Sequence, residues 1–104
     1  RFINNMDKIE LVKGDANITI PQYIENNKHL LVSLLYLDFD IYEPTKTALN
    51  HFVPRMGKGS IIAFDEINNK DWPGETMAML ESLNMNDYKI ESFPFEPNIS
   101  FIQL

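Results

Sequence analysis

The sequence predicts an α/β fold: a Rossmann-like, mostly parallel sheet with helices on both faces and an antiparallel hairpin at the C-terminal end. Three observations lead there. Two runs, residues 30–37 (Leu-Leu-Val-Ser-Leu-Leu-Tyr-Leu) and 60–64 (Ser-Ile-Ile-Ala-Phe), are apolar on both faces, as strands sandwiched between helices are. Segments of helical periodicity lie between and beside them, so strand and helix alternate along the chain. Both runs also stop abruptly at acid, at Asp38-Phe39-Asp40 and at Asp65-Glu66.

The elements follow in order. Ile9-Glu10-Leu11-Val12 alternates enough for a short strand and ends at Lys13-Gly14-Asp15. Ile20, Tyr23 and Ile24 then recur at i, i+3, i+4 spacing, which predicts a helix over 18–27 with Pro21 near its first turn. The apolar strand 30–37 comes next. Glu43-Pro44-Thr45 opens the best-marked helix, whose one face carries Ala48, Leu49, Phe52, Val53 and Met56. Pro54 should end or kink it, and Gly57 and Gly59 should clear the way for the strand at 60–64. A polar loop over 68–74 leads to a helix over roughly 75–83. Residues 89–95 and 99–104 alternate as two strands, with Pro94, Pro97 and Asn98 between or beside them, a hairpin. The order β-α-β-α-β-α-β-β implies right-handed crossovers with a closing antiparallel strand, and the whole of 1–104 reads as part of one domain.

Composition narrows the function classes. The 104 residues are 44% hydrophobic, 12% aromatic and 23% charged, as in a soluble folded chain. No run approaches the roughly 18 apolar residues of a membrane span. Fifteen acidic against nine basic side chains give a net charge of −6, which repels phosphate backbones and argues against nucleic-acid binding. Without cysteine there is no disulfide, thiolate zinc site or thiol nucleophile. No Walker sequence, Gly-x-Ser-x-Gly or His-Glu-x-x-His occurs, so NTPase, serine-hydrolase and zincin readings lose their support.

The chemistry is expected at the strand ends, where open α/β sheets bind ligands. Ends of neighbouring strands lie about 5 Å apart, which lets Asp38, Asp65 and Glu66 converge. Carboxylates that close repel unless protonated or bridged, and an all-oxygen set suits Mg²⁺, Mn²⁺ or Ca²⁺ better than zinc. Each acid taken singly also reads as a helix cap; the set at two successive buried strands points to a site. Asp40, two residues beyond Asp38, would share its direction on an extended backbone and act as a further ligand, as a base, or as the cap of the following helix. Asp15 after Lys13-Gly14 is either a turn residue or an acceptor for an amine donor. His29 and His51 read as surface residues, and Trp72-Pro73-Gly74 as a loop anchor or a stacking platform.

The strings Leu37-Asp38-Phe39-Asp40-Ile41-Tyr42-Glu43-Pro44-Thr45 and Gly59-Ser60-Ile61-Ile62-Ala63-Phe64-Asp65-Glu66 carry a resemblance. They resemble the second half of a class I S-adenosylmethionine-dependent methyltransferase, of the macrocin and mycinamicin type of sugar O-methyltransferase, most nearly its calicheamicin-pathway branch. The resemblance implies methyl transfer from S-adenosylmethionine to a sugar hydroxyl, assisted by Mg²⁺ or Mn²⁺, in a cytoplasmic enzyme that is a homo-oligomer at full length and takes a small-molecule acceptor. It implies Asp38, Asp65 and Glu66 as metal ligands, Asp40 as the catalytic base, and Asp15, Ala16 and Asp38 on the cofactor side. Macrocin-type members usually carry Asp-Asp where this chain has Asp65-Glu66; Glu is a competent ligand but a longer one. The family's glycine-rich cofactor loop has no counterpart between Arg1 and Leu104, so the chain is expected to be a C-terminal part, inactive alone. The rival expectations are a non-catalytic binding or assembly module and an iron hydroxylase on the same scaffold, the latter lacking a His pair.

Overall fold

A computed structural model describes residues 8–65, 74–93 and 95–104. Gly14, at φ 134°, a conformation open mainly to glycine, turns the chain into helix α1 (Ala16–Asn26). Asp15 caps that helix, its carboxylate accepting from the Asn17 N–H at 2.9 Å. The cap starts the helix two residues before its periodicity does and so leaves Pro21 in its interior. Strand β1 (Val32–Leu37), helix α2 (Tyr42–Phe52) with a 3-10 turn (Val53–Arg55), strand β2 (Met56–Phe64), helix α3 (Gly74–Ser82), a second 3-10 turn (Met85–Asp87) and strands β3 (Glu91–Phe93) and β4 (Glu96–Gln103) follow.

The sheet order is β1-β2-β4-β3. β1 and β2 are parallel, with Leu35 opposite Ile62 and Leu37 opposite Phe64, and α2 is their crossover. β4 returns antiparallel between β2 and β3, completing the expected hairpin from Glu96 onward. One apolar core joins Leu35, Leu37, Ile62, Phe64 and Ile102 of the sheet to Ala48 and Leu49 of α2 and to Ala78, Met79 and Leu83 beside or within α3. Phe64 is wholly buried there, and truncating such a side chain to Ala costs about 3–5 kcal/mol. The helices stand in a row, α1 against α2 and α2 against α3, and Thr47 fastens the first pair through Asn17 at 2.8 Å.

The α/β class stands, and three details differ from expectation. Residues 9–12 form no strand: a strand exists only through a partner, no described strand pairs with them, and Leu11 is 93% exposed. β1 is buried on one face rather than two. Leu35 and Leu37 meet the helices, while Leu34 and Tyr36 on the other face are 62% and 50% exposed, because the described core lies on the opposite side. The expected helices on both faces are thus, among the described residues, helices on one. Finally, β2 begins at Met56 instead of Ser60. Val32 pairs with Met56 and Leu34 with Ile61, so residues 57–59 bulge out of register, with Gly59 at φ 93°.

Candidate functional site

The parallel pairing of β1 and β2 carries past the last strand residues: the Asp65 N–H donates to the Leu37 carbonyl at 3.0 Å. Asp38 and Asp65 therefore leave the sheet side by side, as the sequence implies. Beyond Asp38 the chain does not stay extended. Asp40 lies in the left-handed region at φ 62°, an uncommon conformation for a side chain with a Cβ, though one aspartate tolerates better than most. Asp40 is also not the cap of α2, whose N-cap is Ile41 with no side-chain hydrogen bond. Its Oδ1 is buried and finds no hydrogen-bond partner among the described residues.

Against that turn lies a carboxylate from another element. Glu75, fully buried at the start of α3, accepts through its Oε2 from both the Phe39 N–H (3.1 Å) and the Asp40 N–H (3.0 Å). Gly74 allows the approach. A Cβ on it would sit 2.6–2.7 Å from the backbone of Ile41 and closer still to the Tyr42 nitrogen, so the N-terminus of α3 lies directly on the start of α2. As a result Asp38, Asp40 and Glu75 each present an oxygen within 4.8 Å of the others. A sequence signal existed in Gly74-Glu75 itself, a small residue followed by acid at a helix start, but it also fits plain helix-dipole pairing.

Asp65 is held from another side. The Tyr36 hydroxyl donates to its Oδ1 at 2.8 Å, and this bond, with the nearby charges of Asp65, Asp38 and Glu75, pushes the phenol up to about 12. Tyr36 stands two residues before Asp38, on the same side of a strand, and that spacing could have flagged it. Glu66, the predicted third ligand, and the Trp72-Pro73 platform lie outside the described residues.

On the predicted cofactor side, Ala16 and Gly14 help line a cavity of about 360 Å³, together with Val12, Ile20, Phe39 and Phe52. That volume is in the roughly 300–1,000 Å³ range of small-molecule sites. Asp15 is exposed and uses one oxygen as the cap of α1, so an adenine contact would fall to the other. His29 is exposed, and His51 pairs with the Thr47 carbonyl oxygen at 2.8 Å, in keeping with ordinary surface roles.

Chemically, the carboxylates of Asp38 and Asp40 on one loop and of Glu75 on α3, with Asp40 Oδ1 buried and without a hydrogen-bond partner among the described residues, fit a small divalent cation or a transferable proton. Acids stand at the ends of adjacent parallel strands, with a helix between those strands and a last strand reversed beside the second. Two solved structures match that description closely. The apo structure of CalS11, TDP-rhamnose 3'-O-methyltransferase, an enzyme in calicheamicin biosynthesis, aligns with a TM-score of 0.84 and 40% identity over 89% of this chain and 40% of that one. A second structure, of the CalS11 calicheamicin methyltransferase, aligns equally well over 36% of its chain. The chain thus spans about two-fifths of the length of these enzymes, and its resemblance to the calicheamicin sugar O-methyltransferase is shown in structure as well as sequence. No protein-family model matches the chain, nor does any curated protein sequence.

Proposed function

We propose that this chain is the hydroxyl-activating part of an S-adenosylmethionine-dependent sugar O-methyltransferase, acting on a nucleotide sugar, glycosylated natural product or surface glycan. The observation that carries the reading is the pair of adjacent acidic strand ends, Asp38 and Asp65, with Asp40 turned in next to Asp38, on a fold matched at 40% identity to such an enzyme. When bound, S-adenosylmethionine supplies an already electrophilic methyl group, and a divalent cation makes the acceptor hydroxyl more acidic.

The chain's own residues do the rest. Asp38 and Asp65, with Glu66, would hold the cation, and their all-oxygen character favours Mg²⁺ or Mn²⁺. Asp40 takes the hydroxyl proton at Oδ1, the oxygen with no competing donor among the described residues. Tyr36 keeps Asp65 from rotating away. Asp15 and Ala16 meet the adenine end of the cofactor. Alignment of the hydroxyl with the methyl group is the larger part of the acceleration such a site can supply. A charged cofactor and a charged sugar nucleotide cross membranes poorly, which supports the reading of a cytoplasmic enzyme.

The test uses the full-length enzyme with labelled S-adenosylmethionine and TDP-rhamnose as the probe acceptor. Methyl incorporation that disappears in EDTA and returns with Mg²⁺ supports the reading. Asp40→Asn should abolish transfer while S-adenosylhomocysteine still binds in a calorimeter. Transfer that persists in EDTA removes the cation from the proposal, and cofactor binding without turnover on any sugar nucleotide favours a non-catalytic module.

A further inference from the structure

We propose that Glu75 is a positioning residue for the acidic loop, setting the direction of Asp40 through the backbone; the inference rests on the methyltransferase reading above. Glu75 is fully buried, whereas Asp38 is exposed and Asp40 half-buried. A buried carboxylate requires donors, and Glu75 has two on one oxygen, the N–H groups of Phe39 and Asp40. Two successive N–H groups can point at one acceptor only if the backbone curls, and Asp40 is the residue that leaves the usual region, at φ 62°. Sparsely populated backbone conformations persist where their surroundings over-determine them, and here the surroundings are Glu75.

The rest of the fold is arranged to deliver that carboxylate. Gly74 lets the end of α3 rest on the Ile41 and Tyr42 backbone, closer than any Cβ would permit. On the far side, Tyr42 donates to Glu81 at 2.6 Å, pinning the start of α2 to the end of α3. Glu75 lies within 4.8 Å of the Asp38 and Asp40 carboxylates, yet its Oε2 is committed to the backbone. It acts on the reaction through Asp40 and does not itself touch the acceptor.

Because one oxygen receives both N–H groups, a glutamine amide oxygen can replace it and an alanine cannot. In the full-length enzyme, Glu75→Ala should lower kcat on the order of 10²-fold, the scale of a misplaced reacting group, with the cofactor KM unchanged. Glu75→Gln should keep most of the activity. Independently of turnover, hydrogen exchange at the Phe39 and Asp40 amides should accelerate in Glu75→Ala and stay slow in Glu75→Gln. The affinity for Mn²⁺ alone, read by electron paramagnetic resonance, should weaken in the first variant only. A folded Glu75→Ala enzyme with normal kcat and protected amides overturns the proposal. So does a Glu75→Gln enzyme as inactive as Glu75→Ala with weakened Mn²⁺ binding, which makes Glu75 a ligand. Should Glu75→Ala fail to fold, Glu75→Gln and Glu75→Asp carry the same three readouts, and the proposal requires the aspartate, one methylene too short, to lose amide protection. If the wild-type enzyme transfers no methyl group, the functional reading fails, while amide exchange and Mn²⁺ affinity still judge the clamp.

Discussion

A single hydrogen bond makes Tyr36 the most easily tested residue near the acidic strand ends. Its hydroxyl donates to Asp65, and removing that proton would place two negative charges 2.8 Å apart, which is why the phenol is pushed up to about 12. The sign follows directly. A raised folded value means the bond contributes stability in full below the ordinary tyrosine range, about 10, and loses it as pH climbs toward 12. In EDTA, the ultraviolet difference titration of wild type minus Tyr36→Phe should show a phenol ionising near 12. A midpoint near the ordinary value would mean that Asp65 is not its partner. The sequence made Asp38 and Asp65 legible because an apolar strand that stops at acid announces its own end. Tyr36 and Glu75 were hidden for different reasons: a tyrosine in an apolar strand reads as core, and a glutamate opening a helix reads as dipole compensation. Their roles depend on atoms 29 and 35 or more residues away in sequence.

Among the elements, the contact of α2 with α3 decides the geometry of the loop. At its N-terminal end Gly74 touches backbone, which cannot yield as a side chain can. Gly74→Ala should therefore destabilise by about 1–3 kcal/mol, the cost of overpacking, and should free the Phe39 and Asp40 amides even though Glu75 is untouched. Urea denaturation and hydrogen exchange on the same protein check both halves. At the other end Tyr42 and Lys46 of α2 meet Glu81 of α3, and Lys46 lies 5.3 Å above the Tyr42 ring. The Tyr42 hydroxyl, opposed by partial burial and aided by Lys46, holds the Glu81 carboxyl below its usual range. A lowered value contributes stability above the ordinary glutamate range and loses it as pH falls through the folded value. Wild type should melt above Glu81→Gln at neutral pH, and the gap should close in acid; a gap independent of pH would point to packing instead of charge. The elements themselves were largely readable from periodicity and punctuation. What was not readable was pairing: residues 9–12 alternate like a strand but have no described partner, and the three-residue bulge in β2 depends on where β1 begins.

Over the molecule as a whole, the sheet presents two unequal faces. One is sealed by α2 and α3 over Leu35, Leu37, Ile62 and Phe64, and the other leaves Leu34 and Tyr36 of β1 in solvent. β1 is also the outer strand of the described sheet, so its free backbone edge adjoins its exposed apolar face. Ile9, Leu11, Val12 and Leu31 add further exposed apolar surface. An uncovered edge of this kind pairs with other chains, and apolar patches beyond a few hundred Å² mark surfaces that ordinarily meet a partner. The 104-residue polypeptide should therefore bind a hydrophobic dye such as ANS in its folded state and self-associate as its concentration rises. Leu34→Lys separates this from loose packing. In the 104-residue polypeptide it places charge on an exposed position, should change stability by no more than about 0.5 kcal/mol, and should reduce both dye binding and sedimentation-detected association. In a longer chain whose added segments cover that face, the same substitution buries an unpaired ammonium and should be destabilising by several kcal/mol. A negligible effect in the 104-residue polypeptide beside a large loss in the longer protein would identify the open face of β1 as a surface that the longer protein buries. Equal, small effects in both would leave it a solvent-facing surface in either.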